Sequence, residues 1–353
     1  MMPRPIIESK TYIRALERTL SSINLSALSG KTLLISGATG MIGSCLIDML
    51  MLWNQHSDSP CKVMCCGRNE KNAFARFSCW WDSSNFSFLA HDVSQEITGF
   101  SEEFNYIIHA ASNADPVKMA QSPVDTLLSN VCGTNNLISY GRAHGVKRFM
   151  YVSSGEMYGQ PNETYDDFVE NYCGPVDHSN PRACYPVGKR AGEVLCQSYI
   201  AQYGLDAVIV RPCHIFGPTM TCSDSRAVSE FLRNAAAGEN ILLKSSGIVE
   251  RSHCYVLDAV KAMLSVLLYG KNGEAYNIAD RKYQMQIRQF AQCAANAGGV
   301  SLLFEKPSDL ELRGYSKVGR AVLSAGKLLT LGWQPDDSID AIEETVKVLK
   351  DIA

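Results

Sequence analysis

Residues 31–52 limit the possible folds of this chain more than any other part of its sequence. Residues 31–36 are short and apolar, which predicts a buried strand of a parallel sheet. A glycine turn with Gly37, Gly40 and Gly43 follows at once and leads into an apolar helix. Glycines at such a junction let the backbone turn tightly and approach a pyrophosphate, which the N-terminus of the next helix then binds. The stretch therefore predicts an α/β fold that binds a dinucleotide.

Four further apolar segments predict the neighbouring strands of the same sheet. They cover residues 62–66, 86–90, 106–112 and 148–154, and a long helix is expected over residues 123–144. Strands that alternate with helices indicate a parallel sheet, and ligands bind at the C-terminal ends of its strands. Side chains at these ends are therefore the candidates for cofactor contacts.

The candidate cofactor contacts follow from this placement. Arg68 comes after the second strand, where an acidic residue often bonds the adenosine ribose. It would pair with a 2′-phosphate, which favours NADP, or stack on the adenine, or remain a solvated surface residue. Asp92 is a candidate acceptor for the adenine amine. The other predicted contacts, besides the catalytic pair below, are Gly37, Thr39, Gly40, Met41, Ile42, Gly43, Val93, Ala110, Ala111, Ser112, Asn130 and Pro212.

Tyr185 and Lys189 form the candidate oxidation centre. They are four residues apart, so on a helix they lie on one face. A free phenol, with a pKa of about 10, is a poor base, and an ammonium one turn away should lower that pKa. Pro186 places Tyr185 near the helix N-terminus, and Ser154 at the end of the fifth strand should meet it over the cofactor. His109 is more simply explained as a packed, hydrogen-bonded histidine than as a base.

Composition excludes several other classes of protein. The net charge of −3 argues against a nucleic-acid partner, and no apolar run approaches the length of a membrane span. The thirteen cysteines are scattered and lack the paired spacings of metal sites, so we expect buried, reduced thiols and no metal. These features, and the lack of a signal-peptide pattern, predict a cytoplasmic location.

Taken together, the motifs resemble those of the extended short-chain dehydrogenase/reductases, in the NAD-dependent epimerase/dehydratase family of nucleotide-sugar enzymes. The resemblance covers roughly residues 31–350, and the motifs are most similar to those of the UDP-glucuronate decarboxylase group. The matching stretches are residues 37–43, 109–112, 153–159, 181–190, 211–218 and the Leu-Gly-Trp-Gln-Pro motif at 331–335.

The resemblance implies an architecture, a cofactor and an assembly. It implies a Rossmann-type doubly wound parallel sheet, formed by residues 31–217 with about 252–281, and a smaller C-terminal α/β lobe. That lobe, residues 218–251 and 282–353, would bind a UDP-sugar or another nucleotide sugar. Residues 1–30 lie outside the resemblance, and the helical spacing of their apolar side chains predicts a helical extension there. The cofactor would be NAD, with NADP possible because of Arg68. Helices over 123–144 and 182–203 would pair with those of a second copy in a homodimer.

The resemblance also implies that C4 of the sugar is transiently oxidised. Tyr185 would act as the base, Lys189 would tune it and hold the nicotinamide ribose, and Ser154 would bond the reacting oxygen. The 4-keto sugar then has three possible outcomes. It can lose a C6 carboxylate, lose water across C5–C6, or be reduced again from the other face.

Gly155 and Glu156 bear on the choice between these outcomes. The related 4,6-dehydratases have Asp then Glu here, the decarboxylases have Ser then Glu, and many 4-epimerases have two small residues. Gly155 therefore makes dehydration the less favoured outcome, and decarboxylation and epimerisation stand about even. Glu156 is a candidate catalytic group near sugar C5.

Candidate substrate contacts lie beyond the oxidation centre. By the resemblance, Arg251 would bind a hexuronate carboxylate or the diphosphate, as a bidentate guanidinium suits either, and Arg226 would bind the diphosphate. The alternative for both arginines is a structural salt bridge. His214 and Thr219 depart from the family, which usually has Asn at the first position, while its decarboxylases have Arg at the second. The candidate substrate contacts are Ser154, Gly155, His214, Arg226 and Arg251.

Two other functions fit parts of the sequence. A plain NADPH-dependent carbonyl reductase is suggested by Arg68, and it would consume its cofactor stoichiometrically. A non-catalytic dinucleotide sensor could keep the glycine turn, but such proteins can lose the tyrosine or the lysine, and both are present here.

Overall fold

The computed structural model describes residues 5–161, 167–306 and 319–353, and in these ranges strands and helices alternate. The strands are β1 (Thr32–Ser36), β2 (Lys62–Gly67), β3 (Phe86–Ala90), β4 (Tyr106–His109), β5 (Arg148–Val152), β6 (Ala207–Pro212), β7 (His214–Phe216), β8 (Ile241–Leu243), β9 (Glu250–Tyr255), β10 (Ala275–Ile278), β11 (Asp280–Gln286), β12 (Leu302–Phe304) and β13 (Arg320–Ala321).

The helices cover the faces of the sheet and build the C-terminal part of the chain. They are α1 (Lys10–Leu20), α2 (Met41–Asn54), α3 (Glu70–Phe77), α4 (Pro116–Gln121), α5 (Pro123–Ala143), α6 (Cys184–Tyr203), α7 (Ala227–Ala237), α8 (Val256–Tyr269), α9 (Ile287–Gly298), α10 (Gly326–Leu329) and α11 (Ala341–Asp351). Short 3-10 helices add Ile6–Glu8, Ser26–Leu28, Gly155–Tyr158 and Pro181–Ala183.

Seven parallel strands form the main sheet, in the order β10-β6-β5-β4-β1-β2-β3. The chain runs outward from β1 to β3 and then returns to the other side of β1 with β4. Such a reversal leaves a crevice at the C-terminal ends of the two central strands, where dinucleotides bind in sheets of this kind. The predicted doubly wound α/β fold is confirmed.

A second, smaller set of strands comes from later in the chain. Strand β9 lies between β11 and β13 and also pairs with β7, while β8 pairs with β12. In this sheet His214 lies opposite His253, and Ala321 lies opposite Arg251. The second sheet thus brings residues from both predicted substrate-lobe segments next to the end of β6.

Two strands end earlier than their sequence patterns predict. Strand β4 ends at His109 rather than at residue 112, and β5 ends at Val152 rather than at residue 154. The residues that follow leave the ladder and turn toward the crevice, which the strand pattern alone does not show. Helix α6 begins at Cys184, so Pro186 lies in its first turn, where proline is tolerated.

The N-terminal helix α1 is tied to the body of the protein by a buried carboxylate. The Tyr12 hydroxyl donates to Asp48 Oδ2 at 2.9 Å, and Asp48, on α2, is fully buried. Trp80 Nε1 donates to the same carboxylate at 3.0 Å, and the Arg76 guanidinium pairs with it. Arg18 forms ion pairs with C-terminal residues at 2.6 and 2.8 Å. The extension therefore joins α2 to the C-terminal region.

The Leu-Gly-Trp-Gln-Pro motif at 331–335 docks on the start of α8. Trp333 Nε1 donates to the Asp258 carbonyl at 3.1 Å, and the Asp336 amide donates to the Asp258 carboxylate at 3.0 Å. Burial raises the pKa of Asp258 to about 7. The motif thus has a structural role in closing the C-terminal segment onto the sheet.

The cysteines are all free thiols. Six of them are buried, as expected, but Cys79, Cys173 and Cys222 are exposed. Within the described ranges, no cluster of three or more His, Cys, Asp or Glu side chains is arranged to hold a metal. No helix in those ranges has both the length and the apolar character needed to cross a membrane.

Candidate active site

The glycine turn between β1 and α2 packs closely against the backbone around it and leaves no room for side chains at Gly37 and Gly43. Gly37 has a φ of +71°, and a Cβ on it would lie 2.6 Å from the Ala110 carbonyl carbon. A Cβ on Gly43 would lie 2.4 Å from the Gly37 oxygen. Gly40 caps α2 without a side chain, so the first-turn amides, which have no partners within the helix, remain available to a ligand. The turn therefore fits a pyrophosphate.

A cleft of about 290 Å³ opens in front of this turn. Twelve predicted contacts line it, namely Gly37, Gly40, Met41, Ile42, Gly43, Ala110, Ser112, Ser154, Tyr185, Lys189, Pro212 and Arg226. The sequence analysis missed Asn113, Ala114, Asp115, Val152, Ser153, Cys213, Ile215, Thr221, Ser223 and Asp224. Ser153 Oγ is buried without a hydrogen-bond partner in the described part of the chain, which suits a polar ligand in the cleft.

Loops from the two sides of the cleft meet over it. The Asp115 carboxylate accepts from the Ser225 amide at 3.1 Å and from its hydroxyl at 2.8 Å. Asp115 follows β4 and Ser225 precedes α7, so this contact joins distant parts of the chain. The sequence offered one indication that Asp115 lines the cleft, which is that a polar residue follows the end of a predicted strand.

Lys189 lies beneath Tyr185 as their spacing predicts. Tyr185 is in the first turn of α6, and Lys189 is almost fully buried. Lys189 Nζ donates to the Val152 carbonyl at 2.8 Å and lies 5.7 Å from the centre of the Tyr185 ring. Burial lowers the pKa of Lys189 to about 7. The ammonium is thus positioned to act both on the phenol and on a ligand in the cleft.

The pKa of Tyr185 shifts in the opposite direction from the one expected. Burial and, next, the charge of Glu156 raise it to about 12, although a hydrogen bond with Ser154 and the charges of Arg226 and Arg182 favour the phenolate. The phenol therefore keeps its proton in the free protein, because its loss of solvation outweighs the nearby positive charges.

Ser154, Gly155 and Glu156 begin a 3-10 helix beside Tyr185. Ser154 Oγ accepts from the Glu156 amide at 3.2 Å, which caps this helix. The Glu156 carboxylate accepts from Arg182 at 2.8 Å, in a half-exposed ion pair. A Cβ on Gly155 would lie 3.0 and 3.2 Å from the two methyl groups of Leu323. Leu323 thus fills the space in which a serine side chain would begin.

The two candidate arginines occupy different positions. Arg226 caps α7, pairs with Asp224, and brings Nη2 to 3.8 Å from Met41 Sδ at the start of α2. Arg251 is buried on β9 and donates to the Glu250 carbonyl at 2.9 Å. Burial lowers the pKa of Arg251 to about 10, and the nearby carboxylate of Glu156 opposes this shift. Arg226 therefore lines the cleft, whereas Arg251 lies outside its lining, near the Glu156 carboxylate.

The structure shows what surrounds His214 and Thr219, the two residues that depart from the family pattern. The His214 ring is open to solvent on one side and lies 5.8 Å from the His253 ring. Surrounding protein atoms, His253, Arg251 and Arg226 lower the pKa of His214 to about 3, so this ring is neutral at physiological pH. Thr219 Oγ1 donates to the Met41 carbonyl at 2.8 Å and so fixes the start of α2.

Asn130 and His109 support the cleft from behind. Asn130 is buried, accepts from the Ser112 hydroxyl at 3.0 Å, and packs against Gly188, where a Cβ would lie 3.0 Å away. The His109 ring is also buried, with Nδ1 2.7 Å from Ser36 Oγ, as expected for a packed histidine. Asn130 therefore positions Ser112 and α6 rather than lining the cleft itself.

The remaining predicted contacts lie outside the cleft. Arg68 is exposed after β2, and Asp92 accepts from the Ser94 amide and hydroxyl at 3.0 and 2.8 Å. These bonds, with the charge of Arg68, lower the pKa of Asp92. Val93 packs against α5, since a Cβ on Gly133 would lie 2.9 Å from its side chain. The predicted contacts that do not line the cleft are Thr39, Arg68, Asp92, Val93, Ala111, Asn130, Gly155, Glu156, His214 and Arg251.

A larger cavity, of about 780 Å³, lies at the outer edge of the sheet between α6 and β10. Its charged lining groups include Glu193, Arg211 and Lys327, and each of these forms an ion pair within the protein. None of the predicted catalytic or cofactor contacts lines this cavity. The candidate active site is therefore the smaller cleft, where the glycine turn, Ser154, Tyr185 and Lys189 converge.

Comparisons with known proteins show the family of this chain. The model of the NAD dependent epimerase/dehydratase family matches residues 33–279. UDP-glucuronic acid decarboxylase 1 of Xenopus tropicalis is 32% identical over 315 residues, which cover 88% of this chain and 70% of the relative.

Solved structures agree in fold. UDP-glucose 4-epimerase of Thermotoga maritima superimposes with a TM-score of 0.74 at 21% identity, covering 91% of this chain and 98% of that one. dTDP-glucose 4,6-dehydratase of Streptomyces venezuelae, solved with NAD, has a TM-score of 0.73 at 22% identity and coverages of 90% and 96%. The predicted fold and family are both confirmed, and the chain belongs to the NAD-dependent epimerase/dehydratase family of enzymes.

Proposed function

We propose that the protein oxidises C4 of a UDP-hexuronate transiently and releases its C6 carboxylate as carbon dioxide. The coarser statement, an NAD-dependent enzyme that modifies nucleotide sugars, rests on the family and on the names of its relatives. The observation that carries the finer proposal is the position of Arg251, buried on the same side of the site as Glu156. A guanidinium there suits a sugar carboxylate.

Each residue of the site then has a role that its surroundings support. Tyr185 takes the proton of the 4-hydroxyl as a phenolate and returns it at the end; the positive charge of a bound oxidised nicotinamide would favour this form over the protonated phenol of the free protein. Ser154 bonds the same oxygen. When bound, a nicotinamide dinucleotide would supply a reversible hydride acceptor for C4, and it would end the reaction in its oxidised form. Lys189 holds the ribose of that cofactor and stabilises the phenolate. To Glu156, which pairs with Arg182, we assign the return of a proton to C5 after the carboxylate has left.

The direct test is product analysis. Enzyme with NAD and UDP-glucuronate should release carbon dioxide and form a UDP-pentose, with no net change in cofactor absorbance. Arg251→Gln should lose most of this activity and keep its cofactor affinity, whereas Lys350→Gln, at the exposed C-terminal end, should match the wild type. Stoichiometric formation of reduced cofactor, or no turnover on a broad panel of nucleotide sugars, would refute the proposal.

Epimerisation at C4 is the second candidate, and Gly155 is the observation that favours it. Leu323, rather than a serine hydroxyl, lies against Gly155, which forms a mainly apolar wall beside the cleft, next to Ser154. A 4-keto sugar bound against such a wall has fewer fixed contacts and could turn before it is reduced again. UDP-glucose converted to its C4 epimer, with no release of carbon dioxide from UDP-glucuronate, would favour this reading.

We also propose NAD rather than NADP as the cofactor. The ionised Asp92 carboxylate lies near Arg68 and lowers the net positive charge that a 2′-phosphate would meet. Titration calorimetry should give a lower Kd for NAD than for NADP, and Arg68→Ala should change the NAD affinity little. Tighter binding of NADP would contradict this assignment.

The expected homodimer has support in the exposed apolar side chains of two helices. Val124 and Leu128 on α5, and Val194 on α6, are 66%, 47% and 63% exposed. Light scattering after size exclusion should give twice the chain mass, and Val194→Glu should give a monomer. The division into lobes at residues 217, 251 and 281, and the cytoplasmic location, stay predictions.

A further inference from the structure

The geometry points to Glu193 as a positioning residue that keeps Lys189 charged while Lys189 lies buried in the site. This role goes beyond the proposed reaction, since it concerns the charge of Lys189 in any reaction that this site performs.

Lys189 has few groups around it that could stabilise an ammonium. It is 2% exposed, and it donates a hydrogen bond to the neutral Val152 carbonyl at 2.8 Å. The groups that face it are Tyr185 on the same helix, Tyr151 on β5, at 5.1 Å from ring centre to Nζ, and His109 on β4. These groups are neutral at physiological pH, since burial raises the pKa values of both tyrosines and lowers that of His109 to about 3.

Glu193 supplies the negative charge that these groups lack. It follows Lys189 by one helical turn on the buried face of α6 and is itself 7% exposed. Burial lowers the pKa of Lys189, and the charge of Glu193 is the one effect that opposes this shift. Glu193 thus favours the protonated form of Lys189 near neutral pH.

Arg211 orients the Glu193 carboxylate. Its Nε and Nη2 donate to the two Glu193 oxygens at 2.9 and 2.6 Å, which is a bidentate pair. Arg211 Nη1 also donates to the Tyr158 hydroxyl at 2.9 Å and to the Glu170 carbonyl at 2.7 Å. Tyr158 belongs to the 3-10 helix that starts at Gly155, so the pair also anchors the segment that carries Glu156.

The test compares Glu193→Gln with the wild type in the protein without cofactor or substrate. In the wild type, the free energy of unfolding should rise with pH above about 7, because folded Lys189 then loses a proton that the unfolded chain keeps. Side chains one helical turn apart are neighbours on the helix surface, and an opposite charge at that spacing shifts a pKa by about 1 unit, so this rise should begin about 1 pH unit lower in Glu193→Gln. Lys189→Met should abolish the rise in either background.

Matched variants separate this role from simple structural support. Glu170→Gln changes a carboxylate of the same network that accepts from the Asn277 amide, and it should leave the onset of the rise unchanged. If Glu193→Gln does not fold, Glu193→Gln with Arg211→Gln is compared with Arg211→Gln alone, which keeps the Glu193 charge, and the rise should begin at the lower pH in the double variant. An equal onset in the pair that is compared would overturn the proposal.

The pH profile of turnover gives a second readout. With a UDP-sugar that the enzyme converts, turnover falls on the basic side of the pH profile as Lys189 loses its proton. In Glu193→Gln this fall should occur at a lower pH than in the wild type, by the same interval as the onset of the stability rise. The stability measurement needs no substrate, so a failure of the proposed reaction would leave this test intact.

Discussion

Replacing Asp48 by Asn is the most informative perturbation of the fold, because it removes one charge and keeps the shape of the side chain. Asp48 is fully buried and accepts from the Tyr12 hydroxyl at 2.9 Å, from Trp80 Nε1 at 3.0 Å and from the Arg76 guanidinium. An amide has one acceptor oxygen, and its NH2 group would face donors. Breaking a buried ion pair on one side costs about 3–5 kcal/mol, and we expect Asp48→Asn to lose this much of the free energy of unfolding.

Urea unfolding, followed by the fluorescence of the tryptophans and by circular dichroism, measures the loss. Tyr12→Phe removes one hydrogen bond to the same carboxylate, so it should cost less, about 1.5–3 kcal/mol. Tyr269→Phe is the matched control, since Tyr269 is 53% exposed and its loss should stay within about 0.5 kcal/mol. A loss below about 1 kcal/mol for Asp48→Asn would refute the view that this carboxylate holds α1, α2 and α3 together.

Three further predictions concern the site and its surroundings. Tyr185→Phe should lower kcat by a factor of about 10²–10⁴ and leave the Kd for NAD nearly unchanged, as measured by calorimetry; near-normal turnover would exclude it as the base. Gly37→Ala should abolish NAD binding and lower the Tm, because its Cβ would meet the Ala110 backbone, whereas Gly145→Ala, at a φ of +69° with open space, should keep NAD binding. Asp258, with its pKa raised to about 7, stays protonated in the folded chain while the unfolded chain ionises, so stability should fall by about 4 kcal/mol from pH 4 to 7. Asp258→Asn should flatten the dependence of stability on pH, and an unchanged slope between pH 4 and 7 would show that Asp258 does not cause it.

Features that depend on neighbours in the sequence could be predicted from it. The turn at Gly37, the pairing of Tyr185 with Lys189, and the strands of the main sheet follow from spacing over a few residues, and the structure contains them. The position of Ser154 beside Tyr185 also followed, because strand ends of a parallel sheet meet at one edge.

Features that depend on burial and on distant contacts could not be predicted. The spacing of Tyr185 and Lys189 predicted a lowered phenol pKa, but the burial that raises it is set by the whole fold. Asp48 contacts Tyr12, Arg76 and Trp80 across separations of 36, 28 and 32 residues, for which the sequence shows no pattern. Thr219 departs from the family pattern, and only the structure explains it by the bond to Met41.

The contact between Leu323 and Gly155 has a consequence for how this enzyme can diverge. The methyl groups of Leu323 lie 3.0 and 3.2 Å from the place where a side chain at 155 would begin. The effect of a serine at 155 therefore depends on residue 323, and the two positions form an epistatic pair. A lineage would accept the larger residue at 155 more readily after 323 had become smaller, so the order of the two substitutions matters. Relatives of this chain with a serine at 155 should accordingly carry a shorter side chain at 323.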